Sequence, residues 1–253
     1  MKLNVNISIP DLWGEKRFQK NEWSGINLLV GPNATGKTRF VEQLVQQLVQ
    51  QYKAQGLKVR YLSSERLAGF SNKGWYEGGT FVGGFPVGGF NGLKETAEKL
   101  GQSYSAFIVL KEKPDIKMKV EIVLSQFFGK RIEYSEEAGY LKPRFTKFGI
   151  EGNYDIKQNE CHGLKELIAL LTFLYDDENN CLIIDEPELH LHPQFQTFFL
   201  QEIRKIDGDP LSTLDKKCFF IVTHSPYFVD IRFEALHYLS ARQAPYFYKP
   251  TRR

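Results

Sequence analysis

Two adjacent carboxylates, Asp185 and Glu186, end the apolar run CLIIDE, and a lysine and a threonine, Lys37 and Thr38, close the run GPNATGKT. The second run has the spacing G-x-x-x-x-G-K-[ST] from Gly31 to Thr38 and stands between an apolar segment, INLLV, and an amphipathic one, RFVEQLVQQLVQQY. A glycine-rich turn opening a helix points backbone N–H groups at anions and lets the backbone come close to them. In that setting Gly31, Asn33, Ala34, Thr35 and Gly36 wrap phosphate oxygens, Lys37 neutralises the β and γ phosphates, and the Thr38 hydroxyl reaches Mg²⁺. Arg39, next along, joins the nucleotide-binding set. Asp185, at a strand tip, holds the Mg²⁺ water shell, and Glu186 orients and deprotonates the water that attacks the γ phosphate. Phosphoryl transfer is mostly positioning and charge stabilisation, so two carboxylates and a lysine supply much of what it needs. The expected cofactors are ATP and Mg²⁺, and the expected activity is Mg-dependent ATP hydrolysis.

A third segment, FFIVTHSPYFVD, runs from Phe219 to Asp230. Its apolar run reads as a buried strand, and His224 falls just past the strand's carboxyl end, the edge at which α/β proteins bind ligands. His224 is therefore expected to contact the γ phosphate. His190 and His192 lie two apart with Glu188 beside them. Metal ligation is one reading. The other is that the two histidines shape the start of the next helix and meet a second subunit, since no cysteine or further histidine nearby completes a tetrahedral set.

The elements that must position these residues follow from periodicity. Leu3 to Ile9 alternates with period two, and Ile26 begins a largely apolar run suited to a strand covered on both faces. Phe40, Leu44, Leu48 and Tyr52 stand at helical spacing, and Lys58 to Ser64 reads as the next strand. Helical patterning is expected over Leu93 to Lys130, short strands over Arg131 to Ile156, and an apolar helix over Gly163 to Tyr175. Then come strand Cys181 to Ile184, helix Pro193 to Ile206, strand Cys218 to Val222, a short helix near Tyr227 and a last strand at Leu236 to Leu239. Strands alternating with helices imply an α/β fold with a mostly parallel central sheet. We expect one ATPase domain over 1–253, interrupted by a partly helical lobe over 66–158. Within the lobe, residues 69–92 are dominated by glycine and aromatics and read as a loop, either a surface connection or one that docks a partner or a base.

The chain has 253 residues, 42% of them hydrophobic and 25% charged, which suits an ordinary globular protein. A formal net charge of +3 neither requires nor forbids nucleic acid, because a dedicated DNA binder concentrates basic residues far more strongly. Cys161, Cys181 and Cys218 are widely spaced and odd in number, which fits reduced thiols better than a disulfide framework. The N-terminal segment lacks the unbroken apolar core of a signal peptide, and no apolar run approaches the length of a membrane span, so a cytoplasmic location is expected.

With GPNATGKT, DEPELHLHP and VTHSP in this order, the chain resembles the ABC-type ATPase heads of the SMC, RecF and OLD group within the P-loop NTPase superfamily. DEPELHLHP with VTHSP is most similar to OLD-like phage-defence ATPases. The resemblance implies heads that pair around ATP, each nucleotide held between one subunit's P-loop and the other's signature motif, usually a serine-glycine pair at a helix start. Here CHGLKEL places Gly163 at that position, with His162, or Cys161, where serine would stand. Three arrangements fit. The imidazole of His162 replaces the serine with a pH-sensitive contact; or the helix N-terminus and Lys165 bind the nucleotide without it; or His162 only caps the helix and hydrolysis is slow. The resemblance also marks Arg66, after YLSSE, as a contact to nucleotide or partner. After Asp230 only a short tail follows, so the Toprim nuclease domain of OLD nucleases is not expected. The implied role is a homodimer or higher homo-oligomer that controls a separately encoded effector in bacterial anti-phage defence. The competing roles are a RecF-like ATP-gated DNA clamp and a slow-turnover nucleotide-binding scaffold.

Overall fold

The computed structural model describes residues 2–64, 75–77, 80–82, 85–86, 106–137, 140–207, 217–228, 236–240 and 243–248. In chain order the elements are β1 (Lys2–Ser8), α1 (Pro10–Trp13), β2 (Arg17–Glu22), β3 (Ile26–Val30), α2 (Lys37–Lys53) and β4 (Val59–Leu62). Three short strands follow, β5 (Trp75–Glu77), β6 (Thr80–Val82) and β7 (Phe85–Pro86), and then α3 (Ala106–Glu112), α4 (Pro114–Phe128), β8 (Lys130–Glu137), β9 (Tyr140–Lys147) and β10 (Asn153–Asp155). The remaining elements are α5 (Ile156–Asn159), α6 (His162–Tyr175), β11 (Cys181–Asp185), α7 (Pro193–Asp207), β12 (Cys218–Thr223), β13 (Leu236–Ser240) and β14 (Gln243–Tyr248).

The chain divides into two compact units: Met1–Ser64, Leu100–Gln102 and Asp177–Arg253 form one, and Glu65–Lys99 and Ser103–Asp176 the other. The first is built on a six-stranded sheet in the order β14-β13-β3-β12-β11-β4. Neighbours pair in parallel from β13 through β3, β12 and β11 to β4, and only β14 runs antiparallel. Every residue of β11 and β12 is buried, so these strands carry unbroken apolar runs, as a parallel sheet covered on both faces requires. Phe40, Leu44, Leu48 and Tyr52 of α2 are all buried, packed in one cluster with Leu29, Ile183, Phe220 and Val222 of the sheet.

The period-two segment at the N-terminus forms β1; its partner β2, absent from the periodicity, pairs with it antiparallel as a hairpin. One edge of β1 faces α2, where glutamines at every fourth residue act as a second backbone. Gln47 donates to the carbonyl of Asn6 and accepts from its N–H, Gln51 does the same for Asn4, and Gln43 donates to the carbonyl of Ser8. Main-chain groups that an edge strand would otherwise leave open are thereby tied to the helix that follows the glycine-rich loop.

In the second unit β9 pairs with β8, β10 and β7, all antiparallel, and α3 and α4 pack on α6. Helix α6 is apolar nearly all round, and Leu164 through Leu174 are buried without a break. Its end is fixed by Lys113, which donates to the buried Asp176 at 2.7 Å. Residues 69–92, expected to lack regular structure, contain the short strands β5, β6 and β7, and the rest of that segment lies outside the described residues. The short helix expected near Tyr227 is instead a turn over residues 226–228. The Ser225 hydroxyl donates to Gln196 and accepts from the N–H of Tyr227, a local side-chain closure that competes with helix.

Candidate nucleotide site

Strand β3 ends at Val30 and the loop Gly31–Gly36 turns the chain into α2. Two of its residues sit in the left-handed region, Ala34 at φ 64° and Gly36 at φ 83°. The backbone angle at Gly36 favours glycine, and a Cβ there would also have to displace the end of the Leu12 side chain, 2.3 Å away. Thr35 donates its hydroxyl to the carbonyl of Pro32 at 2.9 Å. Lys37 is only 6% exposed and donates its ammonium to the carbonyls of Gly31 and Pro32, at 2.8 and 2.7 Å. The lysine thus closes the loop into a ring. Gly36, the N-cap, supplies no side-chain oxygen to the helix start, so the first-turn N–H groups of a 17-residue helix remain for an anion. Thr38 is exposed beside them.

The carboxylates come from β11, whose register aligns Asp185 with Val222 of β12. Asp185 is 3% exposed and accepts a long hydrogen bond, 3.4 Å, from the Tyr61 hydroxyl. Glu186 leaves the strand at φ 49° while its N–H still donates to the carbonyl of Val222. A non-glycine residue held there carries about 1–3 kcal/mol of strain. Burial depresses the pKa of Lys37, and the charges of Glu186, Asp185 and Glu188 act against that depression. Lysine and acids therefore share one electrostatic neighbourhood.

His224 follows β12 directly. Its ring Nδ1 lies 3.1 Å from Glu188 Oε1 and 3.8 Å from Glu186 Oε1, and its main-chain N–H donates to the same Glu188 oxygen at 2.9 Å. The structure thus brings the loop Gly31–Thr38, Asp185, Glu186 and His224 to the carboxyl ends of three neighbouring strands, β3, β12 and β11. Glu188 belongs to this constellation and was legible in sequence only as a residue beside two histidines. Among the described residues no group of three or more His, Cys, Asp or Glu could hold a metal ion. His192 accepts the N–H of Gln194 and so shapes the start of α7.

Other expected residues fall elsewhere. The guanidinium of Arg39, expected in the phosphate-binding set, pairs with Asp11 at 2.8 Å on the surface. Arg66 lies outside the described residues. Helix α6 does begin at His162, and His162 and Cys161 are exposed. The reading of His162 as the cap is corrected, because the N-cap is Cys161, with no side-chain cap bond. Lys165, expected to reach a nucleotide across a dimer, is 5% exposed. Glu160 accepts the N–H of Cys161 on one oxygen and both Lys130 and the Tyr154 hydroxyl on the other.

A parallel sheet, a phosphate-loop geometry and paired acids at the end of β11, one strand removed from β3, together define a P-loop ATPase fold. Similar solved structures agree. The fold matches an SMC head, described as bound to the C-winged helix domain of ScpA, with TM-score 0.61 at 11% identity over 94% of this chain and 95% of that one. It also matches MJ0796, a bacterial ABC transporter cassette described as dimeric, with TM-score 0.50 at 12% identity over 100% of this chain and 98% of that one. No curated protein is similar enough in sequence to count as a relative. The family described as the AAA ATPase domain matches residues 89–229, more than half of the chain, and the protein belongs to that family. Among the described residues no helix is long and apolar enough to cross a membrane.

Proposed function

We propose that this protein binds Mg–ATP on Gly31–Thr38 and hydrolyses it, as one ATPase domain with the lobe 66–158 inserted. The observation that carries the reading is the convergence of Lys37, Asp185, Glu186 and His224 at the carboxyl ends of adjoining parallel strands, where open α/β sheets take their ligands. An uncapped helix start, a buried lysine and an exposed threonine suit a polyphosphate with its cation. Thr38 and Asp185 would hold Mg²⁺, which when bound neutralises charge on the phosphates. Glu186 lifts a proton from the attacking water, Lys37 takes phosphate charge, and His224 meets the γ phosphate.

Two copies pair on ATP in this reading, with His162, Gly163 and the start of α6 facing the partner's nucleotide. Support comes from a solved cassette of the same fold being dimeric and from the exposure of His162 at a helix start. OLD-like control of a separate effector in anti-phage defence is the role that DEPELHLHP with VTHSP suggests. The test is steady-state turnover beside equilibrium nucleotide binding. Lys37→Ala should lose ATP binding, and Glu186→Gln should keep it while turnover falls by on the order of 10²–10³-fold. Turnover by Glu186→Gln equal to that of the wild type would sink the hydrolytic assignment. Steep loss of DNA affinity with rising salt would instead favour the DNA-clamp role.

A further inference from the structure

Glu188 is an expensive residue in an unexpected place. Its side chain is 7% exposed, and its Oε2 is buried with no hydrogen-bond partner among the described residues. Burying a carboxylate with one oxygen unsatisfied costs stability, so packing alone does not account for it. Its other oxygen accepts the main-chain N–H of His224 at 2.9 Å and lies 3.1 Å from the same residue's Nδ1. A carboxylate oxygen and a bare ring nitrogen are both acceptors and would repel at that distance. The contact is favourable only when Nδ1 carries a proton.

We infer that Glu188 is a positioning residue for His224, holding its main chain and its imidazole through one oxygen and keeping Nδ1 protonated. The inference rests on the γ-phosphate role given to His224 above. The two ring nitrogens lie on opposite flanks of an imidazole, so fixing Nδ1–H on Glu188 turns Nε2 away from it, and the doubly protonated ring, which the carboxylate favours, donates Nε2–H to a phosphate oxygen. Glu186, 3.8 Å from the same Nδ1, is too far to replace Glu188 as the ring's acceptor. A histidine that must meet the phosphate within a few tenths of an ångström gains from losing its rotamer freedom beforehand.

Two measurements decide the matter. Long-range ¹H–¹⁵N correlation on the full-length protein reads which ring nitrogen of His224 is protonated. The wild type should show the proton on Nδ1, and Glu188→Ala should move the neutral ring to the Nε2–H form. In turnover assays Glu188→Ala should lower kcat by about 10- to 100-fold with little change in KM for ATP, Glu188→Gln should recover most of that loss, and Glu188→Ala/His224→Ala should be no slower than His224→Ala alone. A wild-type ring protonated only on Nε2, an unchanged ring signal in Glu188→Ala, or fully additive losses in the double variant would overturn the assignment. Should Glu188→Ala not fold, the wild-type ring state still decides it. Absence of Glu186-dependent turnover would defeat the hydrolytic reading, and the ring signals would still judge Glu188.

Discussion

Glu186 does two things that pull in opposite directions. Its φ of 49° is strained for any residue with a Cβ, yet the same turn lifts its carboxylate out of the sheet end toward the lysine-bearing loop. Glu186→Gly is expected to raise unfolding stability by about 1 kcal/mol by removing that strain, and to abolish turnover. Urea midpoints beside ATPase rates check both halves; a variant less stable than the wild type would show that the backbone there is not strained. His162 makes a simpler case. It is exposed and lies one position past the cap, so His162→Ser should leave stability within about 0.5 kcal/mol. Any change in turnover then reports contact with nucleotide rather than folding.

At the scale of elements, two devices fix the helices that frame the chemistry. The glutamines of α2 tie β1 to the helix behind the loop. Gln47→Ala removes both bonds to Asn6 and, both being exposed, should cost only about 1 kcal/mol, read as a shift in thermal midpoint. The start of α6 depends on the Glu160 cluster. Burial works against the charge of Glu160, but Lys130, Tyr154 and the Cys161 N–H outweigh it and hold its pKa below the usual carboxylate value. Burial likewise opposes the charge of Lys130, but Glu160 and Tyr154 outweigh it and hold that pKa above the usual lysine value. A depressed acid stabilises the fold above its unfolded pKa and loses that contribution as pH falls through the folded value. A raised base contributes below its unfolded pKa and loses it as pH rises through the folded value. The stability difference between wild type and Glu160→Gln should therefore be flat near neutrality, at about 1–3 kcal/mol, and shrink below about pH 4. Denaturation between pH 3 and 7 measures it; a constant difference over that range would show the carboxylate is not the source.

For the whole molecule, the central expectation is that ATP makes pairs. Glu186→Gln retains the ligand, so with ATP and Mg²⁺ it should double its mass by light scattering, and His162→Glu should prevent the doubling by setting a negative charge against the phosphates. A trapped variant that stays monomeric would remove the pairing from the proposed mechanism.

Local rules were enough for much of this. A glycine-lysine-threonine turn between an apolar run and an amphipathic helix specifies its own conformation, because backbone angle and helix start are nearest-neighbour properties. The parallel strands were legible as well, since burial on both faces writes an unbroken apolar run into the sequence. What required the tertiary structure were partnerships across long stretches of chain. Gln47 meeting Asn6, Arg39 spent on Asp11, Lys165 buried, and Glu188 holding the histidine 36 residues later leave no period in the sequence. Each is decided by which strands lie side by side and which way a turn sends its side chain.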